Sequence, residues 1–357
     1  MHYGDSQFGF KKNSSTVHAA IYFQEKIMHF LSCGLFDGCV VVALDLSKAF
    51  DKVNHAILYS KLKSTVPASF TNLIFNYLYQ RTVHVKIQNK ETDTFYVKNG
   101  VPQGSVFGPC LFNLFIADFV PLYNTTEIIK YADDITLIIP YSSDHLDNVT
   151  AEIKHFKMWC SCNKMEVNDD KTQVMPILKR NVMYKYSDNF KISTSLKILG
   201  ITFSKNLHCT QHFNEVCGKA SRNIYLLKRL SHICSRKDLY TIYRSKILSI
   251  ISYGLPLFTN ITQSSLDQIK RVNKKCHTII CSDDPCCCDT LDIQLMQKKQ
   301  ILRLIKKLTI INTPLSSLFP NKSKTGRYIL PRAKTTRKVK SFIFKACQVF
   351  NANFSRS

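Results

Sequence analysis

The sequence predicts an α+β fold, with short strands concentrated in the first 203 residues and helices after them. A continuous β-branched run at Val40–Leu44 is typical of a buried strand, and two apolar runs within residues 128–140 flank a polar step, as in a hairpin. Between residues 220 and 251 the apolar residues instead recur every three or four positions, which indicates helices. A hydrophobic content of 45% with 11% aromatics is that of a folded chain.

The length predicts more than one structural unit. At 357 residues, the chain is longer than single hydrophobic cores usually extend. We divide it into a strand-containing part at 1–203, a helical region at 204–292 and a basic segment at 293–357.

The charge of the chain points to a polyanionic partner. Lys and Arg outnumber Asp and Glu by 49 to 25, a net charge of +24, which would repel itself unless nucleic acid were bound. After Asp292 there are fifteen Lys and Arg residues and no acidic residue. No apolar run approaches the roughly 18 residues of a membrane-spanning helix, so the composition excludes the integral membrane class.

The fourteen cysteines are read as reduced thiols of an intracellular protein, because their spacing is irregular and no signal peptide begins the chain. The densest group runs from Cys276 to Cys288 and includes His277. Zinc is the less favoured reading of this group, because structural zinc sites usually show two clean CxxC or CxxxC pairs.

The first predicted elements are a helix, a strand and a second helix. The first helix is capped by residues 15–16 and ends near Gly34, and its apolar positions are spaced by three and four residues. The strand Val40–Leu44 is apolar on both faces, and Asp45 stands at its C-terminal end. A helical pattern then continues to Leu62.

The next stretch contains a helix, a hairpin and a loop. Residues 68–79 form the helix, and Val83–Ile87 with Phe95–Val97 form the hairpin. Residues 99–105 are rich in turn-forming types and lead into a helix from about Pro109 to Phe119. Such a loop lets backbone approach a ligand, and the following helix N-terminus favours an anion.

The hairpin at Ile128–Pro140 carries two adjacent carboxylates, Asp133 and Asp134, in its turn. Neighbouring carboxylates repel each other unless a cation lies between them. Oxygen ligands of this kind suit Mg²⁺, which often bridges protein carboxylates and substrate phosphates. With Asp45 as a third carboxylate, the residues indicate a divalent metal site.

Mostly helices are predicted beyond the hairpin. The predicted elements are a helix at Leu146–Cys162, a turn and short strand at Glu166–Met175, a hairpin at Leu196–Phe203, two helices between residues 220 and 251, and a helix at 293–312 followed by a Pro- and Gly-broken basic segment. The basic outer faces of the helices between residues 220 and 251 fit contact with a phosphate backbone.

Three aspartates on neighbouring strands are what two-metal phosphoryl transfer requires. Two divalent ions about 3.5–4 Å apart activate an attacking hydroxyl and stabilise the leaving oxygen. From the residues alone, a nucleotidyl transferase and a metal-dependent nuclease both remain open.

The order of motifs resembles that of one family. The motifs are QFGFKKNSST (7–16), LDLSKAFD (44–51), GVPQGSVFGPCLFNLFI (100–116), YADD (131–134), DDKTQVM (169–175) and LKILGITF (196–203). This series resembles the reverse transcriptases of non-LTR retrotransposons of the jockey-like or LINE type. The resemblance covers nearly the whole chain and is densest up to residue 203. PQGS between the carboxylates argues against a nuclease.

The resemblance implies a right-hand polymerase: partial fingers and an antiparallel palm at 1–203, a helical thumb-like region at 204–292 and a basic, mostly helical C-terminal region. It implies RNA-directed DNA polymerase activity, with an RNA template, a DNA primer and dNTPs as partners. Asp45 and Asp133 would be metal ligands and Asp134 the third carboxylate. The cofactor would be two Mg²⁺ ions, with Mn²⁺ as the alternative.

The resemblance also implies roles around the nucleotide. Phe50 would clash with a ribose 2′-hydroxyl and so select dNTPs. Gln103, Gly104 and Ser105, with Tyr131, would border the templating base and the incoming nucleotide. Lys171 would protonate the pyrophosphate leaving group, and the hairpin at 196–203 would grip the primer end.

The chain departs from the family pattern at Phe107 and Cys110, where leucines are usual, and at Asp169-Asp170. Because it starts just before QFGF, we expect an N-terminally truncated member. The alternative function is a catalytically silent remnant that binds nucleic acid. Target-primed copying would place the protein in the nucleus, and PRAKTTRKVK (331–340) is compatible with import. The sequence leaves the oligomeric state open.

Overall fold

The computed structural model describes residues 6–143, 148–184, 190–259, 261–281, 292–308, 313–331, 339 and 341–354. The chain divides into two compact units. The first comprises Met1–Ala19 and Cys33–Ser193, and the second comprises Ala20–Ser32 and Thr194–Ser357. The predicted domains at 1–203, 204–292 and 293–357 stay predictions beside this division.

The described part of the first unit contains a four-stranded sheet, two short ladders and four complete helices. Its elements are β1 (Gly38–Leu44), α2 (His55–Lys63), α3 (Ala68–Leu78), β2 (Thr82–Val83), β3 (Lys86–Ile87), β4 (Lys90–Glu91), β5 (Phe95–Tyr96), α4 (Phe107–Phe115), β6 (Glu127–Tyr131), β7 (Asp134–Tyr141), α5 (Asn148–Cys162) and β8 (Gln173–Leu178). Helix α1 (Thr16–Ser32) begins in this unit and continues into the other.

The main sheet has the order β6-β7-β1-β8, and every neighbouring pair is antiparallel. Strand β1 lies inside the sheet because its residues are apolar on both faces, and Cys39–Val42 are fully buried. In the register, Leu44 pairs with Ile135 of β7, and Ala43 pairs with Gln173 of β8. The C-terminal end of β1 therefore meets the first residues of both neighbours at one edge of the sheet.

A hydrophobic core lies directly behind that edge. Leu44 and Ile135 belong to the same buried cluster as Phe112 of α4 and Phe156 of α5. Burying an aromatic side chain of this size contributes about 2–3 kcal/mol each. The edge of the sheet therefore rests on a packed support.

The second unit is mainly helical in its described part. It contains β9 (Ser195–Ile198), β10 (Ile201–Ser204), α6 (Thr210–Leu230), α7 (Arg236–Tyr243), a π-helical turn (Arg244–Leu248), α8 (Ser249–Ser252), α9 (Gln263–Cys281), α10 (Ile293–Leu308) and α11 (Phe342–Phe354). Strands β9 and β10 form an antiparallel hairpin. Helix α6 packs on α9, and Phe23 of α1 packs edge-on against Phe203 of β10 with ring centroids 4.7 Å apart.

The α+β class is confirmed, and so are the strand after Gly38, the aspartate hairpin and the hairpin at 196–203. Several predicted bounds were wrong. Helix α4 starts at Phe107 and ends at Phe115, not at Pro109 and Phe119, and the amide of Gly108 in its first turn donates to Ser105 Oγ. The predicted pairing of Val83–Ile87 with Phe95–Val97 is confirmed between Val83 and Phe95, whereas Lys86–Ile87 pair with Lys90–Glu91 in a second two-residue ladder.

Other bounds differ in the helical unit. Helix α6 begins at Thr210, ten residues before the predicted start, and helices α9 and α11 were not predicted. The first residues of the predicted helix at 146–162 and the last four of the one at 293–312 lie outside the described residues.

The cysteines of the described chain are free thiols. Burial raises the pKa of Cys39, and it raises the pKa of Cys160 and of Cys347 to about 12. In the cysteine-rich group from Cys276 to Cys288, Cys276 and Cys281 are buried in α9, whereas residues 286–288 lie outside the described residues. Most of 331–340 also lies outside them. No helix of the described chain is long and apolar enough to cross a membrane.

Candidate active site

The three predicted carboxylates lie at one edge of the main sheet. Asp45 directly follows β1, and Asp134 is the first residue of β7. Because Leu44 pairs with Ile135, Asp45 and Asp134 leave neighbouring strands at the same level. Asp133 occupies the two-residue turn between Tyr131 of β6 and Asp134, which pair with each other.

The charges of these carboxylates act on one another. The pKa of Asp134 is raised, first by partial burial and then by the negative charges of Asp133 and Asp45. A proton on Asp134 relieves the repulsion between the three carboxylates. A cation bound at the same edge of the sheet would relieve it as well.

Lys171 supplies a positive charge beside Asp45. Its Nζ atom lies 3.7 Å from Oδ2 of Asp45, and both side chains are partly exposed. The loop that carries Lys171 is fixed locally: the Asn168 amide donates to the Asp45 carbonyl at 2.8 Å, and the Thr172 amide donates to the Asn168 carbonyl at 3.0 Å. The loop after residue 166 thus continues the pairing of β1 past its end, and this pairing brings Lys171 to the aspartates.

The residues fit divalent metal ions in their chemistry. Carboxylate oxygens are hard ligands of the kind that Mg²⁺ and Mn²⁺ prefer. Burial and then the charges of Asp133 and Asp45 raise the pKa of Asp134, and a bound cation would relieve the repulsion between these charges. In the residues that the structure describes, no three acidic, histidine or cysteine side chains form a closed ligand group. The protein carboxylates would therefore need water or substrate oxygens to complete the coordination of an ion.

Phe50 lies five residues after Asp45, in the short segment between β1 and α2. Its ring stacks on Phe112 of α4, with centroids 4.4 Å apart and an interplanar angle of 20°. The Phe50 carbonyl accepts a hydrogen bond from the Val101 amide at 2.9 Å, and the Val53 carbonyl accepts one from the Gly100 amide at 2.7 Å. Phe50 and the predicted nucleotide loop are therefore brought together.

The loop itself is held at both ends. The Gln103 side-chain amide donates to Oδ1 of Asp51 at 2.8 Å. Ser105 Oγ donates to the Pro102 carbonyl and accepts from the Gly108 amide in the first turn of α4, at 2.8 and 2.9 Å, which ties the loop to that helix. Gly104 has φ +77°, and a Cβ there would meet nothing within 4 Å, so glycine serves the backbone conformation and leaves space in front of the loop.

Two residues without a predicted role hold the hairpin that carries Asp133. Gln7 is buried, and its Oε1 atom accepts from the Ala132 amide in the turn. Lys130 is 1% exposed, and its amine donates to the carbonyls of Ile116 and Phe119 after α4, at 2.9 and 2.7 Å. The structural role of Lys130 could have been inferred from the sequence, because a lysine within the apolar segment 128–131 is unusual.

The structure therefore places the predicted residues in two neighbouring groups of the first unit. Asp45, Asp133, Asp134 and Lys171 form one group, with Tyr131 at the base of the turn. Phe50, Gln103, Gly104 and Ser105 form the other. The catalytic and binding roles of these residues stay predictions.

Comparison with known proteins identifies the part of the chain that holds both groups. A family model described as reverse transcriptase (RNA-dependent DNA polymerase) matches residues 1–203. The chain is 27% identical over 294 residues to the probable RNA-directed DNA polymerase from transposon BS of Drosophila melanogaster. The aligned region covers 74% of this chain and 31% of that protein.

Two further proteins are similar. The RNA-directed DNA polymerase from mobile element jockey of Drosophila melanogaster is 26% identical over 293 residues, covering 75% of this chain and 31% of that protein. The chain thus spans about a third of the length of the curated relatives it matches. Among solved structures, apo telomerase from Candida tropicalis is 13% identical, covering 96% of this chain and 52% of that chain with a TM-score of 0.45.

Proposed function

Because the chain belongs to the reverse transcriptase (RNA-dependent DNA polymerase) family, we propose that it extends a DNA primer along an RNA template in the manner of non-LTR retrotransposon polymerases. The observation that carries the proposal is the meeting of Asp45 with the Asp133-Asp134 turn at one sheet edge. The names of the similar proteins from transposon BS and mobile element jockey support it.

In the proposed reaction, the primer 3′-hydroxyl attacks the α-phosphate of a dNTP and pyrophosphate leaves. Asp45 and Asp133 would hold two divalent ions, Mg²⁺ or alternatively Mn²⁺, and Asp134 would add negative charge beside them. Such ions activate the hydroxyl and stabilise the charge that develops on the leaving oxygen. The carboxylates supply fixed anionic ligands on strands that the core supports.

Lys171 is proposed to give a proton to the pyrophosphate. Its amine lies 3.7 Å from Oδ2 of Asp45, at the sheet edge where the pyrophosphate would leave. The exposure of Lys171 leaves it free to turn from Asp45 toward a bound triphosphate.

Phe50, Gln103, Gly104, Ser105 and Tyr131 are proposed to line the nucleotide pocket. The stacking of Phe50 on Phe112 fixes the ring, so it could exclude a 2′-hydroxyl instead of moving aside. The open space at Gly104 would let a base or sugar approach the backbone.

The primer and template are proposed to contact the basic second unit. Its helices and the basic segment after Asp292 supply the excess of Lys and Arg residues that would pair with phosphates. The hairpin of β9 and β10 is proposed to hold the primer end. The nuclear location also stays a prediction.

The test is dNTP incorporation on a primed RNA template, with Mg²⁺ and separately with Mn²⁺. Incorporation by the wild type should fall by at least about a thousandfold in Asp133→Ala, because a metal ligand is lost. Asp93→Ala, an exposed aspartate on the ladder segment, is the matched control and should keep wild-type activity.

The second candidate is a silent nucleic-acid-binding protein, which the net charge of +24 favours. Absence of incorporation by the folded wild type, with binding to the primed RNA retained, would replace the proposed polymerase with this alternative. Activity that survives in Asp133→Ala would contradict the assignment of the site.

A further inference from the structure

We infer that Gln7 is a positioning residue for the turn that carries Asp133. The inference rests on the proposed function for its catalytic consequence, whereas the structural role itself does not depend on polymerase activity. Gln7 lies 125 residues before Ala132 in the chain and contacts the turn through one side-chain oxygen.

The turn needs to be held because its first residue is strained. Ala132 has φ +55°, a left-handed conformation that L-residues with a side chain rarely adopt. Two-residue hairpin turns favour positive φ at this position, and glycine is the residue that adopts it freely. An alanine here keeps the turn only if neighbouring contacts hold it.

Gln7 provides such a contact. Its Oε1 atom accepts hydrogen bonds from the Ala132 amide at 3.2 Å and from the Gly9 amide at 2.7 Å. A carbonyl oxygen has two lone pairs, so both bonds can form together. Gln7 is 1% exposed, and water therefore does not compete for the oxygen.

The backbone around Gln7 is itself fixed against the hairpin. The Lys130 amide donates to the Ser6 carbonyl and the Phe8 amide donates to the Lys130 carbonyl, both at 2.8 Å. The Asn113 side-chain amide donates to the Gly9 carbonyl at 2.9 Å. These bonds prevent the Gln7 oxygen from drifting away from the turn.

The approach at Gly9 is close enough to define the position of the turn. A Cβ atom on Gly9 would lie 2.5 Å from the Ala132 nitrogen and 3.0 Å from the Tyr131 carbonyl carbon. The segment therefore bears directly on the two residues before Asp133.

The oxygen and the nitrogen of the Gln7 side-chain amide differ in their hydrogen bonding. Its Nε2 atom is buried and has no hydrogen-bond partner in the described part of the chain. A buried donor without a partner is unfavourable, so an apolar side chain of the same size would be the better space-filler. The use of glutamine at this position is explained by its oxygen.

The test uses Gln7→Met, which keeps the volume and removes the oxygen. The matched control is Gln24→Met in α1, because Gln24 is also buried and its Oε1 atom has no partner in the described chain. Three quantities are measured on the full chain: hydrogen exchange at the Ala132 amide, the rate constant for dNTP incorporation, and the Kd for primed RNA.

In Gln7→Met we expect Ala132 exchange to accelerate about tenfold, because the amide loses its acceptor. The incorporation rate constant should fall about 100-fold, because the carboxylate is misplaced, with the Kd for primed RNA changed less than about twofold. Gln24→Met should change none of the three. A residue that only fills the core would lower stability without this selective effect.

A double variant tests the strain directly. In Gln7→Met/Ala132→Gly, glycine adopts positive φ without support, and we expect at least about tenfold of the lost rate to return. If Gln7→Met does not fold, folding of the double variant supports the inference, and failure of both overturns it. Unchanged Ala132 exchange in a folded Gln7→Met also overturns it. If the wild type incorporates no dNTP, the proposed function fails, and Ala132 exchange and the folding of the two variants still decide the role of Gln7.

Discussion

Asp134 carries a charge that the free protein would be more stable without. Burial and the charges of Asp133 and Asp45 raise its pKa. In Asp134→Asn without divalent ions, we expect Tm to rise by about 1–2 °C at pH 7. Asp134 is solvent-exposed at the start of β7, so burial and repulsion together cost no more than about 1 kcal/mol. Thermal unfolding in a chelator measures it, with Asp93→Asn as the control that should not change. A lower Tm in Asp134→Asn would contradict this view of the edge.

Lys130 is a buried cation of the first unit, and its loss should destabilise the fold. Lys130→Met removes the amine that donates to the Phe119 carbonyl and one of the two donors to the Ile116 carbonyl, which also accepts from the Phe119 amide at 3.3 Å. We expect the free energy of unfolding at pH 7 to fall by about 1–3 kcal/mol. Denaturant titration measures this loss. Lys48→Met, at an exposed position, is the control.

Lys130 also gives a prediction about pH. Burial lowers its pKa from 10.5 to about 8. Between these values the unfolded chain binds a proton that the folded chain does not, so stability rises with pH in this window. The free energy of unfolding of the wild type relative to Lys130→Met should therefore rise by about 1 kcal/mol per unit between pH 8 and 10. A difference that stays flat would mean that Lys130 keeps its proton.

The sequence predicted the side chains whose signal is local and missed those whose partners are distant. Asp133 and Asp134 are adjacent in a recognisable turn, and Asp45 ends an apolar run. Gln7 contacts a residue 125 positions away and Asp51 binds Gln103 across 52 positions, and no local pattern marks either pairing. The predicted residues could therefore be named from the sequence, whereas the contacts that hold them could not.

At the scale of elements, the turn between β9 and β10 depends on Tyr253. Its hydroxyl donates to the Leu199 carbonyl at 2.5 Å, and Leu199 has φ +49°. We expect Tyr253→Phe to lower the free energy of unfolding by about 1 kcal/mol. Urea unfolding checks this, with Tyr240→Phe, at a partly exposed position, as the control. If the hairpin holds the primer, the KM for primed RNA should rise in Tyr253→Phe while kcat changes less.

The existence and type of elements with a strong sequence pattern were predicted more reliably than the residues at which they begin and end. The run of β1 is short and β-branched, which favours a strand over a helix, and the apolar spacing of α3 is that of a helix. The pairing of β2 to β5 differs from the expected hairpin because all residues of these strands are exposed. No buried face therefore fixes a single register. Helix α9 has buried apolar residues from Leu266 to Ile280 at helical spacing, so its signal was present in the sequence and was overlooked.

At the scale of the whole molecule, the fold class could be predicted because the motifs occur in a fixed order. The expected α+β right-hand polymerase class agrees with the family match over residues 1–203 and with the antiparallel sheet that holds the aspartates. The extent of the two compact units was not predictable, because Ala20–Ser32 joins a unit whose other residues begin only at Thr194, 162 positions after Ser32.

The net charge leads to a prediction about nucleic-acid binding. With +24 charges, the protein should neutralise several phosphates and release their counterions. We expect the affinity for primed RNA to fall by at least about 100-fold between 50 and 200 mM salt. Fluorescence anisotropy measures the slope, and Asp133→Ala should show the same slope because its phosphate contacts are unchanged. A weak salt dependence would mean that base contacts dominate.

The position of β1 within its sheet affects how the protein is made. Both partner strands come later in the chain, and the second, β8, ends at Leu178. At ordinary ribosome speeds, the interval between Leu44 and Leu178 lasts roughly ten to thirty seconds. During that time the apolar residues of β1 are unpaired on the nascent chain and can form a sheet with another chain. Slower initiation or a chaperone that covers residues 38–44 should therefore raise the soluble yield.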